Sequence, residues 1–305
     1  MHSWHRHLTV PAPHRKCRTL CSMPWWRRDD YPVGESLMHD TVDVKALGRQ
    51  YRDDGFCVTP AVVPPDLLDE ATAAAEAVAA GESDTGLAPK QRQRERSDGP
   101  QRLVKIGEPH NCSHVLRRLV SYPAIWSLAA AVTGARALQV WAVDLFIKRP
   151  TDEAPVGNIG WHQDGPFAPQ WHGDIFTVWL ALSAVSEDAS PLRYVPGSQR
   201  LGPLGRTDLF RTDLDPATTG LPLPDGFRWS EVTAAVPAGG LALHHRNMLH
   251  ASGPNRSAQS RRSLAIRVRT DGCELARDAE PARVAHLADE VLAPVVYGDP
   301  GLLAR

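Results

Sequence analysis

The chain has 305 residues, and Lys+Arg 34 against Asp+Glu 35 leave a formal net charge of -1. Hydrophobic residues make up 42% and charged residues 23%, which is typical of a soluble globular protein and excludes a largely disordered chain or a coiled coil. The small net charge excludes a global field that would attract nucleic acid or an anionic membrane. No apolar run approaches the roughly 18 to 20 residues of a membrane span. The 5 cysteines are scattered, as in a reduced, cytoplasmic chain.

Residues 1–37 lack hydrophobic periodicity, so we expect a disordered N-terminal extension ahead of a single domain over 38–305. Within the domain, the pattern predicts helix, strand, helix, charged loop, strand and a further helical stretch broken near Pro123, in this order: Val44–Asp53, Gly55–Val63, Pro65–Ala80, 83–101, Arg102–Ile106 and Cys112–Val132. From Arg136 to Arg269 the sequence changes to strands punctuated by Gly and Pro. Helices followed by a run of strands predict an antiparallel β core with the helices packed on its outside.

Two His-x-Asp pairs are candidate metal ligands: His162 with Asp164, and His172 with Asp174. Side chains two residues apart on a strand share one face, so either pair can occupy adjacent positions on a metal ion. Asp174 shares its face with the large apolar residues of the following strand, Phe176, Val178, Leu180 and Leu182. Large apolar residues belong on the outer face of a narrow barrel, under the helices. We therefore predict that His162 and Asp164 are the ligands.

The third ligand is expected far away in the sequence, where His244, His245 and His250 are candidates. His244 and His245 lie in an apolar strand, where a histidine buried in the core is the ordinary interpretation. The polar sequence that follows His250 favours this residue instead. Two histidines and one carboxylate, which leave three positions open, are typical of non-haem Fe(II) oxygenases.

The last predicted strand alternates in the same way. Arg262 shares one face with Leu264, Ile266 and Val268, whereas Arg261 shares the other with Ser263, Ala265 and Arg267. The second face has the small residues expected inside a barrel, so Arg261 is predicted to point into the pocket. A guanidinium fork there suits a carboxylate. The alternative is a surface salt bridge.

Four motifs in this order resemble the phytanoyl-CoA dioxygenase family of Fe(II)- and 2-oxoglutarate-dependent oxygenases over roughly Val44 to Val268. They are Trp161–Gly165, Thr177–Leu182, Leu192–Ser198, and His250–Ser257 followed by Arg261. The resemblance implies a mainly β protein with flanking helices, whose core is a double-stranded β-helix of the jelly-roll, cupin-like kind. It also implies Fe(II) on His162, Asp164 and His250, with 2-oxoglutarate and O2 as the other reactants.

The same resemblance implies further contacts for the cosubstrate. Arg261 would hold the distal carboxylate of 2-oxoglutarate, with Ser252 and Trp179 lining its pocket and Lys105 and Asp144 facing it. The sequence departs from the family pattern at Ser190, where Gly usually precedes Pro-Leu, and at Gln199, where His often ends the Pro-Gly-Ser turn.

The predicted reaction is oxidation of an unactivated C–H bond of a small molecule, chiefly hydroxylation in bacterial secondary metabolism. Asp164 occupies the position that a halide would need, which favours hydroxylation over halogenation. The same oxidant can instead give desaturation, cyclisation, epimerisation or oxidative acetal formation. A β-helix protein that binds a metal or ligand without oxygen chemistry is the remaining alternative, although an intact Arg261 behind the triad argues against it. We expect the loops Phe167–His172 and Arg200–Arg228 to contact the substrate.

Overall fold

Two antiparallel sheets form the core of the computed structural model, which describes residues 42–93, 102–152, 157–209 and 213–303. The predicted extension over 1–37 lies outside these ranges. The helices are α1 (Val44–Asp54), α2 (Pro65–Ala80), α3 (His114–Val120), α4 (Pro123–Thr133) and α5 (Pro281–Val284). The strands are β1 (Phe56–Ala61), β2 (Lys90–Gln93), β3 (Leu103–Gly107), β4 (Ala137–Lys148), β5 (Ile159–His162), β6 (Trp171–Ala181), β7 (Leu192–Tyr194), β8 (Val232–Ala234), β9 (Gly240–His245), β10 (His250–Ser252), β11 (Arg261–Leu275) and β12 (Val295–Gly298).

The larger sheet has the strand order β1-β9-β6-β11-β4-β3-β2, and β12 pairs with β4. The smaller sheet has the order β5-β10-β7-β8. Strands that are distant in sequence are therefore neighbours in both sheets, as in a jelly roll. The predicted double-stranded β-helix is confirmed.

The helices cover the outer face of the larger sheet. Leu67, Ala71, Ala75 and Val78 of α2 are buried at helical spacing and belong to the same apolar cluster as the outward residues of β6 and β11. Those outward residues are Phe176, Val178 and Leu180 of β6, and Leu264, Ile266 and Val268 of β11. The alternation predicted for both strands is therefore the one observed, and the opposite faces point between the sheets.

The predicted break near Pro123 is observed: the stretch over Cys112–Val132 is two helices, because Pro123 cannot donate a backbone hydrogen bond and begins a new helix instead. Two other predictions differ from the structure. The predicted loop over 83–101 contains β2, which pairs with β3. The strand region continues past Arg269 to Leu275, and α5 and β12 follow it. None of the helices in the described ranges combines the length and the apolar character of a membrane-spanning segment.

Candidate active site

The two sheets bring His162, Asp164 and His250 together. His162 ends β5 and His250 begins β10, and these two residues are register partners. One nitrogen or oxygen atom of each triad residue lies within 4.8 Å of the others, and His162 Nε2 is 3.8 Å from Asp164 Oδ1. The prediction that His162 and Asp164 share the face of one strand is wrong in detail. β5 ends at His162, and Asp164 turns inward with helical backbone angles ahead of Gly165–Phe167, a short 3-10 helix.

Backbone carbonyls orient both histidine rings. Nδ1 of His162 donates to Gly160 O at 2.8 Å, and Nδ1 of His250 donates to Met248 O at 2.9 Å. This arrangement leaves each Nε2 as the atom with a free lone pair, which is how metal-binding histidines are commonly held. Burial lowers the pKa of His162 to about 4 and holds the pKa of His250 well below its usual range. Both rings are neutral at pH 7, the form that binds metal.

Asp164 is surrounded by hydrogen-bond donors. Its Oδ2 accepts from Thr177 Oγ1 at 2.5 Å and from His244 Nε2 at 3.3 Å. Burial would raise the pKa of this carboxyl, but Arg267 and His244 hold it well below its usual range. Asp164 is therefore an ionised carboxylate, and its Oδ1 faces His162.

A cavity extends from the triad between the sheets. Arg261 lines it and is 3% exposed. Its Nη2 donates to Ser190 O at 3.0 Å, its Nη1 donates to Ser263 Oγ at 2.9 Å, and its guanidinium lies 5.0 Å from the Trp179 ring centroid. Within the described residues, no carboxylate forms an ion pair with Arg261. Burial lowers its pKa to about 9, as expected for a cation that has lost water without gaining an anion.

Lys148 is a second buried cation in this cavity, and the sequence analysis did not identify it as a site residue. It is the register partner of Arg261 and is 1% exposed. Its Nζ donates to Ser252 Oγ at 2.6 Å and to Gly253 O at 2.9 Å. The signal was present in the sequence, because Lys148 alternates with Asp144 and Phe146 on the inner face of β4.

Of the five predicted cosubstrate contacts, the structure brings Arg261, Ser252 and Trp179 into one cavity. Lys105 and Asp144 lie apart from this group. Lys105 Nζ is 3.2 Å from Asp144 Oδ2, which also accepts from Arg267 Nη1 at 2.7 Å. The ammonium of Lys105 is thus directed at a carboxylate of the protein, and neither Lys105 nor Asp144 is among the residues that line the cavity of Arg261.

The other candidate ligands lie elsewhere or have other partners. His172 and Asp174 are exposed on β6. His245 is on the opposite side of β9 from the cavity, and its Nδ1 accepts from the backbone N–H of Asn247 at 3.1 Å. His244, in contrast, lines the cavity. The sequence predicted an ordinary core histidine at this position and did not place it in the cavity.

A second, larger cavity of about 680 Å³ lies beside Phe167. Phe167 lines it and contacts the His162 ring edge to face at 6.2 Å between centroids. Its walls come from the loop after α2, from β4, from the predicted contact loop and from the C-terminal segment: Leu87, Ala88, Lys90, Glu108, Asn111, Cys112, Trp141, Ala142, Phe167, Gln170, Ala282, Arg283, His286 and Leu292. The described part of 200–228 lines neither of these two cavities; its apolar residues pack around Trp161.

A family model and a curated protein match the sequence of this chain. The model of the family phytanoyl-CoA dioxygenase (PhyH) matches residues 51–263, more than half of the chain. The probable alpha-ketoglutarate-dependent hypophosphite dioxygenase of Stutzerimonas stutzeri is 30% identical over 119 residues, which are 39% of this chain and 41% of that protein. The chain therefore matches less than half of the length of this curated relative.

Solved structures share the fold over most of the chain. The alpha-ketoglutarate-dependent carbocyclase SnoK from nogalamycin biosynthesis gives a TM-score of 0.65 at 22% identity, with 83% of this chain and 96% of that chain covered. The epimerase SnoN in complex with Fe3+, alpha ketoglutarate and nogalamycin RO gives a TM-score of 0.61 at 23% identity, with 79% of this chain and 88% of that chain covered. At such identities the likeness shows the jelly-roll fold.

Proposed function

We propose a specific reaction for this chain, which belongs to the phytanoyl-CoA dioxygenase family of non-haem Fe(II)- and 2-oxoglutarate-dependent dioxygenases: it hydroxylates an unactivated C–H bond of a small organic molecule. The observation that carries the proposal is the combination of a buried His-His-Asp triad with a buried guanidinium that has no carboxylate partner among the described residues.

The triad fits an iron ion by the chemistry of its donors. His162 Nε2, His250 Nε2 and Asp164 Oδ1 would hold Fe(II), since the backbone already occupies both Nδ1 atoms and two donors already occupy Oδ2. A site with two histidines, one carboxylate and open positions is the usual arrangement for Fe(II) oxygenases. When bound, the iron together with 2-oxoglutarate and O2 supplies the oxidising chemistry.

Arg261 would bind the distal carboxylate of 2-oxoglutarate. A buried cation is costly unless it is paired, and its neighbours Ser190 and Ser263 supply only neutral oxygens. Ser252, held by Lys148, and the Trp179 ring complete the walls of this compartment. The cosubstrate thus accounts for a charge that the protein itself does not balance.

The organic substrate would enter through the second cavity, because Phe167 places that cavity directly beside a metal ligand. Its volume suits a molecule with one or more rings rather than a small inorganic ion. Its aromatic and amide walls would exclude water and orient the target carbon near the triad. The fold neighbours from nogalamycin biosynthesis support a substrate from bacterial secondary metabolism.

The test has two stages. Purified protein loaded with Fe(II) should consume 2-oxoglutarate and O2 and release succinate, whereas the Asp164→Ala variant should not. Absence of turnover in the parent protein would overturn the proposal in favour of a protein that only binds a ligand.

The second stage identifies the outcome of the reaction. A small-molecule extract of the organism that produces the protein is incubated with the loaded parent and with Asp164→Ala, and the two are compared by mass spectrometry. Gain of one oxygen from labelled O2 in a product supports hydroxylation. Loss of two hydrogens would indicate desaturation or ring closure, and an isomer of unchanged mass would indicate epimerisation. Either of these two results would refute hydroxylation while retaining the family chemistry.

A further inference from the structure

His244 connects a buried tyrosine to the carboxylate of the triad. It lies on β9, is 1% exposed and lines the first cavity. Its Nδ1 is 2.9 Å from the hydroxyl of Tyr194, and its Nε2 is 3.3 Å from Asp164 Oδ2. An ionised carboxylate can only accept, so Nε2 carries a proton and donates to it, which leaves Nδ1 to accept from the Tyr194 hydroxyl. Both ring nitrogens of His244 therefore form hydrogen bonds within the protein.

The surroundings hold this pair of side chains in place. Phe56 of β1 is the register partner of His244, and its ring stacks on Tyr194 with centroids 4.3 Å apart and planes at 21°. Thr177 of β6 is the partner of His244 on the other side, and it donates to the same Asp164 oxygen. The neighbouring strands β1 and β6 thus hold His244 and Tyr194 in position beside Asp164.

The two oxygens of Asp164 therefore have different environments. Oδ2 accepts two hydrogen bonds, whereas Oδ1 faces His162 Nε2 at 3.8 Å and lies 4.0 Å from Arg267 Nη2. We infer that His244, together with Thr177, keeps Asp164 a ligand through Oδ1 alone and so acts as a positioning residue for the metal site. This inference rests on the proposed function in taking the triad as the site of the metal.

The consequence concerns the number of open positions. Three protein ligands that each give one atom would leave three positions open on such an ion for 2-oxoglutarate and O2. A carboxylate that rotated to bind through both oxygens would occupy one of these three. A phenylalanine at position 244 would fill similar space but would leave Oδ2 with one donor and Tyr194 without its acceptor.

The experiment compares His244→Phe with His245→Phe. The second variant makes the same substitution one residue along β9, on the face that points away from the cavity. Each protein is loaded with Co(II), whose visible absorption intensity reports coordination number, and is then titrated anaerobically with 2-oxoglutarate. We expect His244→Phe to change the absorption intensity and to raise the half-saturating 2-oxoglutarate concentration by about tenfold, the effect of losing one hydrogen bond to a charged group. His245→Phe should match the parent.

Two further variants separate positioning from packing. His244→Gln places an amide N–H near the former Nε2 and should restore the parent spectrum. Tyr194→Phe removes one oxygen atom and should shift the spectrum as His244→Phe does, by a smaller amount; it carries the test if His244→Phe does not fold. Parent-like spectra for both His244→Phe and Tyr194→Phe would overturn the inference. A changed Co(II) spectrum in a protein whose parent does not bind 2-oxoglutarate would support the role of His244 and refute the proposed function instead.

Discussion

Replacement of Arg261 by alanine should weaken cosubstrate binding and leave metal binding nearly intact. The residue is 3% exposed and has no carboxylate partner among the described residues, so the far carboxylate of 2-oxoglutarate would lose the guanidinium that pairs with it if Arg261 were removed. An unpaired buried charge costs about 2 to 5 kcal/mol, and each 1.36 kcal/mol is about tenfold. The dissociation constant for 2-oxoglutarate should therefore rise from about 30-fold to several thousand-fold.

The matched control is the next residue on the same strand. Arg262 points to the outer face, where it pairs with Glu76, and the two side chains are 23% and 38% exposed. An ion pair this exposed is screened by solvent and contributes at most about 1 kcal/mol to the free energy of unfolding. Arg262→Ala should thus lower stability slightly and leave the dissociation constant for 2-oxoglutarate unchanged.

The assay is an anaerobic titration of the Fe(II)-loaded proteins with 2-oxoglutarate, followed by the metal-to-ligand charge-transfer band. Iron retention is measured separately by metal analysis. Arg261→Lys keeps the charge but loses the two-pronged geometry and should fall between the parent and Arg261→Ala. Equal binding by Arg261→Ala and the parent would refute the assignment of this compartment to the cosubstrate.

Three further outcomes are expected. Burial lowers the pKa of His110 from 6.5 to about 4, so between these values the unfolded chain binds more protons at this residue than the folded chain does. The contribution of His110 to the free energy of unfolding should therefore fall by about 3 kcal/mol from pH 6.5 to 4. Denaturation at several pH values should show a flatter dependence of this free energy on pH for His110→Gln than for the parent. Ser190 has a φ of 59°, a left-handed conformation that glycine adopts without strain and alanine does not. Both Ser190→Gly and Ser190→Ala lose the hydroxyl, so urea denaturation should show Ser190→Gly to be about 1 kcal/mol more stable than Ser190→Ala. Equal stabilities would contradict this. Metal analysis should show iron lost from Asp164→Ala and retained by Asp174→Ala.

The alternation of side chains in single strands predicted much of the site. In β6 and β11 one face carries a run of large apolar residues, so the opposite face had to point inward. This reasoning placed Arg261 in the cavity, where the family resemblance also put Trp179. The same reasoning applied to β9 would have placed His244 inside, because Leu241 and Leu243 occupy its outer face. The apolar composition of β9 concealed this alternation.

Contacts between strands could not be predicted in this way. The neighbouring positions of Arg261 and Lys148 depend on the register of β11 against β4, and residues more than a hundred positions apart carry no local signal of such a register. The sequence indicated the positive φ of Ser190 only indirectly, because serine stands where the family usually has glycine. In the structure, its carbonyl accepts from Nη2 of Arg261, so the left-handed turn at this residue serves to hold the guanidinium.

The two cavities are built from different kinds of structural element. The first cavity is lined mostly by paired strands of both sheets, whose ladders fix the positions of the triad and Arg261. The second takes much of its wall from loops and from the segment that includes Ala282 and Leu292, beyond the region matched by the family model. Loops tolerate changes of length and sequence that a strand ladder does not. We therefore expect the sheets to set the chemistry of this protein, and the segments that line the second cavity to set its choice of substrate.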